Sequence, residues 1–217
     1  KNVHLVGSLS VDNIKKINLN KYSYVSKKYE IDKNKKNFFL IYHPETLHQS
    51  YGLKGLKNIL KALTFFQDIN IYSTYNNADT KHNIFQKILK KYSYRNKSLK
   101  IFNSIIYSEY IALLSKCDLI IGNSSSGIIE APSLGVPTVN IGDRQHGRLR
   151  ARSIFDSTDE LSDILNNIKK ALLFKKKNKR KIVNHYEHKN SIDNIIKKLN
   201  ASSKKSLIGE KFYDIKK

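Results

Sequence analysis

Apolar positions follow two rhythms along the chain. Short runs of β-branched and aromatic residues at Val3–Val6, Phe38–Tyr42, Ile69–Ser73, Leu99–Phe102, Leu119–Ile121 and Thr138–Ile141 predict buried strands. Longer amphipathic stretches between them predict helices over Gly52–Phe66, Lys81–Tyr92, Ser108–Ser115, Gly127–Leu134 and Ser157–Phe174, with a last one over Ser191–Leu199. In the first of these, Leu53, Leu56, Ile59, Leu60 and Leu63 recur at helical spacing and mark one buried face. Strands that alternate with helices predict an α/β fold, a Rossmann-like parallel sheet flanked by helices on both faces.

Composition narrows this picture. At 217 residues and 40% hydrophobic, the chain can bury one good α/β core. No apolar run reaches the ~18 residues of a membrane span, and the single cysteine, Cys117, excludes a disulfide framework and a multi-cysteine zinc site. The expected compartment is the cytosol. The chain holds no methionine, and its opening KNVHLVG reads like a strand already under way, so a fragment of something larger is expected.

The formal charge of +22 fits either of two readings. A basic surface can gather nucleic acid or anionic membrane by counterion release. The preferred reading is solvated lysine: 34 of the 40 basic residues are Lys, beside abundant Asn, Ile and Tyr, a bias that A/T-rich codons produce without selection for binding. No recognition-helix pattern or aromatic-plus-basic sheet signature is present.

Rare residue types locate the candidate site. All three prolines and five of the nine glycines lie beside or inside IYHPET, residues 41–46, and the stretch from Asp118 to Arg152. Arg144, Arg148, Arg150 and Arg152 crowd into nine positions of a chain that otherwise uses lysine, which suggests a need for a fixed, forked donor to phosphate or carboxylate. An ordinary ion-paired loop is the alternative. Residues 118–141 read as strand, tight loop, helix, strand. In the loop, GNSSSG lets backbone approach an anion at a helix start, and Ser124, Ser125 and Ser126 add hydroxyl donors. One of them, or Asn123, could instead simply cap the helix. Glu130, set among Ile128, Ile129, Ala131 and Leu134, is placed to accept hydrogen bonds from ribose hydroxyls, or else to complement the helix dipole. His43 closes a strand where parallel sheets bind ligands, and could hold a phosphate or move a proton. The other histidines show no ligand spacing, so no metal site and no cofactor are expected.

GNSSSGIIEAPSLGVPTVNIGDRQHGR resembles the signature of the UDP-N-acetylglucosamine 2-epimerase family, in its hydrolysing branch, which serves sialic-acid-type pathways. VGSLSVDNI, IYHPET and YNNADT fall in the matching order, and the likeness spans about residues 3–196. The resemblance implies two Rossmann-like domains around a cleft, similar to the B-type glycosyltransferase architecture. This chain would be mostly the C-terminal, nucleotide-binding one. It further implies residues 1–20 as the end of a missing N-terminal domain, 21–200 as the nucleotide-binding domain and 201–217 as a polar tail. By motif, Ser124 and Ser125 resemble the holders of the UDP phosphates, Glu130 the ribose ligand and Arg144 a further UDP contact. His43 matches an active-site histidine, Asn77 an asparagine of the pocket, and Ile105 a residue bordering the uracil through its backbone. The implied reaction converts UDP-N-acetylglucosamine to N-acetylmannosamine and UDP, or acts on another UDP-amino sugar such as UDP-diacetylbacillosamine. The acids for proton transfer would lie in the N-terminal domain, leaving this chain inactive alone. A basic nucleic-acid-binding module is the rival outside enzymes. Implied partners are a UDP-sugar and the N-terminal domain; a homo-oligomer is compatible, while membrane and nucleic acid are not expected. Where the family usually has Tyr-Gly-x-Gly before its closing helix, this chain reads Tyr186-Glu187-His188-Lys189, which implies a different turn.

Overall fold

Alternate residues of the strand Lys36–Ile41 (β1) enter two separate cores. Phe38 and Leu40 join one apolar cluster, Phe39 and Ile41 the other. A strand buried on both faces is what a sheet covered by helices on each side requires. The computed structural model describes residues 3–45, 52–75, 82–177 and 182–201. Within them β1 is joined by β2 (Ile69–Thr74), β3 (Leu99–Phe102), β4 (Leu119–Gly122), β5 (Thr138–Ile141) and β6 (Ile154–Ser157). Every pairing is parallel, in the order β3-β2-β1-β4-β5-β6.

Helices cover both faces. α3 (Leu53–Leu63), α4 (His82–Arg95) and α7 (Leu161–Lys177) pack on the Phe38 side, where Leu56, Ile59, Leu60 and Leu63 are buried with Phe85, Leu89, Ile164 and Ile168. α2 (Val25–Lys28) and α5 (Tyr107–Ser115) cover the Phe39 side through Val25, Tyr29, Ala112, Leu113 and Leu114. The expectation of a doubly wound parallel sheet is met. The order of connections reverses between β1 and β4, and the carboxyl ends of strands at such a reversal are the usual ligand position in these sheets.

Three local expectations fail. Val3–Val6 is not a strand: it pairs with none of the six described strands, and Val3 is 96% exposed and Leu5 82%. The helix α1 (Leu9–Lys16) follows, against α8 (Ser191–Ala201), burying Val11 and Ile14. Ser157 ends a strand and does not begin a helix: its hydroxyl, with the Thr158 backbone N–H, donates to Asp163, so α7 starts only at Leu161. The stretch expected as one helix over Gly127–Leu134 is α6 (Ser125–Ile129) followed by a 3-10 turn at Ala131–Leu134, with Pro132 removing an N–H and Gly135 closing the turn at φ +67°.

Candidate functional site

The site starts from a glycine that no other residue could replace. β4 leaves the sheet at Gly122 with φ +140°, and a Cβ there would stand 1.8 Å from the Ile41 carbonyl oxygen. This close approach presses the end of β4 onto the end of β1. It brings the next residue, the fully buried Asn123, against His43. The Asn123 backbone N–H donates to the Ile41 carbonyl at 3.1 Å, continuing the ladder one step past the strands.

From there the Asn123 side chain copies a backbone. Its Oδ1 accepts the His43 N–H at 2.7 Å, while its Nδ2 donates to the His43 carbonyl at 2.9 Å and to Glu45 Oε1 at 3.2 Å. Its own carbonyl accepts from Arg144 Nη1 at 3.1 Å and from Gln145 Nε2 at 2.8 Å. One residue therefore ties together the exits of β1, β4 and β5. Each such bond is worth about 1 kcal/mol net, but leaving the buried partners bare costs more.

Ser124 caps α6: its Oγ accepts the Ser126 N–H at 3.3 Å, which leaves the hydroxyl proton available to donate. Ser125 opens the helix, half-buried like Ser124. α6 has five residues, so hydroxyls and the Arg144 fork supply more of any anion affinity here than a helix dipole does. Arg144 is exposed and spends a single N–H on Asn123. The remaining arginines divide. Arg150 is bound to Asp156 at 3.0 Å and to the carbonyls of Gln145 and Arg148, and Arg152 lies over the Phe174 ring at 5.7 Å. Those two brace the loop; Arg144 and Arg148 are the forks left for an anion, so the arginine cluster is half structural.

Glu130 sits between α6 and the 3-10 turn, among hydroxyls. Its Oε2 accepts from Ser126 Oγ at 2.5 Å, and Tyr107 stands 3.4 Å from its Oε1. Burial raises the Glu130 carboxyl above its ordinary value, and hydrogen bonds from Ser126, Tyr107 and Ser10 act in the opposite sense. The same environment pushes the Tyr107 phenol up to about 12, burial first and the Glu130 charge second. Ile105 is partly buried against the Phe39-side core, just ahead of α5. Asn77 lies outside the described residues. His43, Ser124, Ser125, Glu130 and Arg144 are thus brought to one corner of the sheet through Asn123 and Ser126. Gln145, Tyr110 and Ser10 had no expected role in the site, Asn123 was expected only as a possible helix cap, and Ser126 only as a hydroxyl donor to an anion. For Asn123 the signal was its place directly after a strand-ending glycine; for Tyr110 there was none.

A polar hollow of about 590 Å³ opens beside this corner, between Tyr42, Glu45, Asp143, Arg150, Asp156, Ser157, Asp159 and Asp163. None of the expected site residues lines it, and its carboxylates would repel a diphosphate. Elsewhere Cys117 is buried with its thiol pushed up by burial, which removes it as a nucleophile. No group of three or more metal-ligating side chains occurs among the described residues, nor does any helix there have the length and apolarity to cross a membrane.

The chain belongs to the UDP-N-acetylglucosamine 2-epimerase family, whose model matches residues 1–200. It is 36% identical over 165 residues to a GDP/UDP-N,N'-diacetylbacillosamine 2-epimerase (hydrolyzing) of Campylobacter jejuni, covering 76% of this chain and 42% of that one. It is 31% identical over 172 residues to a UDP-N-acetylglucosamine 2-epimerase of Neisseria meningitidis, covering 79% and 44%. The chain therefore spans less than half the length of these curated relatives. Among solved structures, the Methanocaldococcus jannaschii UDP-GlcNAc 2-epimerase in complex with UDP-GlcNAc and UDP superposes with a TM-score of 0.70 at 20% identity, over 92% of this chain and 55% of that one. The glycosyltransferase WaaG superposes with a TM-score of 0.50 at 14% identity, over 71% and 42%. These structural likenesses establish the fold, that of a Rossmann-like α/β unit.

Proposed function

We propose that this chain is the UDP-binding part of a hydrolysing UDP-sugar 2-epimerase acting on UDP-N-acetylglucosamine. The observation that carries the reading is the Asn123 junction, which gathers His43, the Ser124–Ser125 hydroxyls and the Arg144 fork at the switch point of the sheet. In this reading the two serines and Arg144 hold the diphosphate, and Glu130 accepts from the ribose hydroxyls. The backbone near Ile105 borders the uracil, and Asn77 contributes to the pocket.

The reaction assigned to the whole enzyme begins with removal of the C2 proton of the sugar. The C–H electron pair becomes the C1–C2 double bond as the C1–O bond breaks, and UDP leaves with that bond's electrons. Water then adds its hydroxyl to C1, and a proton returns to C2 on the opposite face, giving the free 2-epimer. Hydrogen-bond donors fixed where the leaving diphosphate gains charge lower this barrier. In this reading Arg144 and the serines supply them, and His43 protonates or orients the departing phosphate. We assign the acid–base groups at C2 to a partner domain, and expect this chain alone to bind UDP weakly and to release no N-acetylmannosamine.

The 36% identity to the Campylobacter jejuni relative favours a second reading within the same chemistry, a UDP-diacetamido-dideoxy sugar in place of UDP-N-acetylglucosamine. Calorimetric titration with UDP tests the common part. Ser124→Ala, Glu130→Gln and Arg144→Lys are each expected to weaken UDP binding about tenfold, roughly 1.4 kcal/mol. Unchanged affinity in all three sinks the reading. A nucleic-acid-binding module would behave differently: its affinity for duplex DNA would collapse with salt and ignore Ser124→Ala.

A further inference from the structure

We infer that Ser126 is the positioning residue for the Glu130 carboxylate, and that Tyr110 fixes it in that task through a one-way chain of hydrogen bonds. The inference rests on the reading of Glu130 as the ribose ligand and deepens it.

The direction follows from counting protons. Ser126 Oγ stands between two oxygens, the Tyr110 hydroxyl and Glu130 Oε2. A serine carries one hydroxyl proton, and an ionised carboxylate can only accept. Ser126 must therefore give its proton to Glu130, and Tyr110 must give its own to Ser126. Among the described residues the Tyr110 hydroxyl has no other partner: its partly buried ring packs edge-on against Phe39 at 5.3 Å, and burial pushes its phenol well above the ordinary range. The serine backbone is fixed as well, since its N–H is held by Ser124 Oγ. The carboxylate is consequently gripped on Oε2 from the protein side. Its other oxygen faces Tyr107, whose hydroxyl also lies 3.3 Å from the Ser10 carbonyl and is itself 40% exposed with its residue, so Oε1 is on the solvent side, where a ligand's hydroxyls would arrive.

The groups facing Glu130 are Ser126 on α6, Tyr107 on α5 and Ser10 on α1, with Tyr110 of α5 behind the serine. None of them is a cation, so among the described residues the ionised form of Glu130 is favoured by hydroxyl donors alone. Loss of the Ser126 donor leaves burial less opposed. The carboxyl then takes up a proton at higher pH, and a protonated Glu130 is a poorer acceptor for ribose.

Titration of the full chain with UDP and with 2′-deoxy-UDP, from pH 4.5 to 8, tests this. Ser126→Ala is expected to weaken UDP about tenfold, to narrow the preference for UDP over the deoxy compound, and to move the acid limb of UDP binding to higher pH. Ser126→Thr, which keeps the hydroxyl, is expected to restore all three. Tyr110→Phe, which keeps the buried ring, is expected to move the acid limb the same way by a smaller amount, and decides the matter if the alanine variant fails to fold. Unchanged affinity and an unchanged acid limb in Ser126→Ala and Tyr110→Phe, with Glu130→Gln still weakening UDP, would overturn this inference alone. Unchanged UDP affinity in Glu130→Gln would instead remove the ribose reading beneath it.

Discussion

Asn123 and His43 are paired as two strand residues would be, with one partner using its side chain. The peptide N–H and carbonyl of His43 meet the amide of Asn123 at 2.7 and 2.9 Å. Asn123→Ala strips both buried contacts together with a donor to Glu45, and is expected to cost about 3 kcal/mol in urea unfolding. Asn123→Asp keeps the acceptor but sets a buried carboxylate against the His43 carbonyl and Glu45, and is expected to cost at least as much. UDP affinity should drop in both variants, because His43 loses the side chain that holds it, while Arg144 keeps the main-chain carbonyl of residue 123.

Gly122→Ala places a methyl group inside the Ile41 carbonyl. Neither strand can retreat without breaking the parallel ladder at the centre of the sheet. We expect more than about 4 kcal/mol of destabilisation, or no folded protein at all. Circular dichroism melting of this variant beside Gly147→Ala makes the comparison fair. Gly147 has φ +77° but nothing within 4 Å of its would-be Cβ, so there the cost is backbone strain alone, about 1 kcal/mol.

Glu109 gives an acid-sensitive clamp between α2 and α5. Lys28 donates to it first in importance, then Tyr29 and Tyr24, and these hold its carboxyl well below the ordinary 4.5, at about 2. A depressed native pKa stabilises the fold above the unfolded-state value and loses that contribution as pH falls through the native one. Stability should therefore decline between about pH 4.5 and 2, and Glu109→Gln should be less stable at pH 7 but flatter across that window. Equilibrium unfolding at a series of pH values reads both effects.

The two kinds of arginine should separate by measurement. Arg144→Lys should lower UDP affinity with little change in melting temperature. Arg150→Gln should lower the melting temperature, because Asp156 and two loop carbonyls lose their donor, and should affect UDP less. The reverse pattern would reassign the phosphate fork.

Cys117, buried with its thiol pushed up, should resist a thiol reagent in the native protein and react at once in denaturant. Rapid native labelling would show that the Phe39-side core opens locally.

The sheet was legible because its strands are apolar on both faces. Phe38–Ile41, Ile69–Ser73 and Leu119–Ile121 admit few other uses, and the order of connections followed from their alternation with helices. β6 was missed because Ile154-Phe155-Asp156-Ser157 is half polar at the sheet edge, with Asp156 turned to Arg150 and Asn140. α1 was missed because only Val11 and Ile14 of its hydrophobic residues are buried, too few to set a helical rhythm. At the candidate site, residue types singled out Gly122, Ser124, Glu130 and Arg144 by local pattern. The partners that aim them come from elsewhere in the chain: Asn123 meets a residue 80 positions away, and Ser126 one 16 away. Contacts of that span leave no periodicity to read.

The bend at Gly147 has a practical side. It projects into open space between Gln145, which is anchored on the Asn123 carbonyl, and Arg150, which is anchored on Asp156. Sequence inserted between those two moorings should leave both in place. A dye or a tether grafted at Gly147 itself, with Arg148 left in place, would on the proposed reading report on nucleotide arrival a few residues from Arg144.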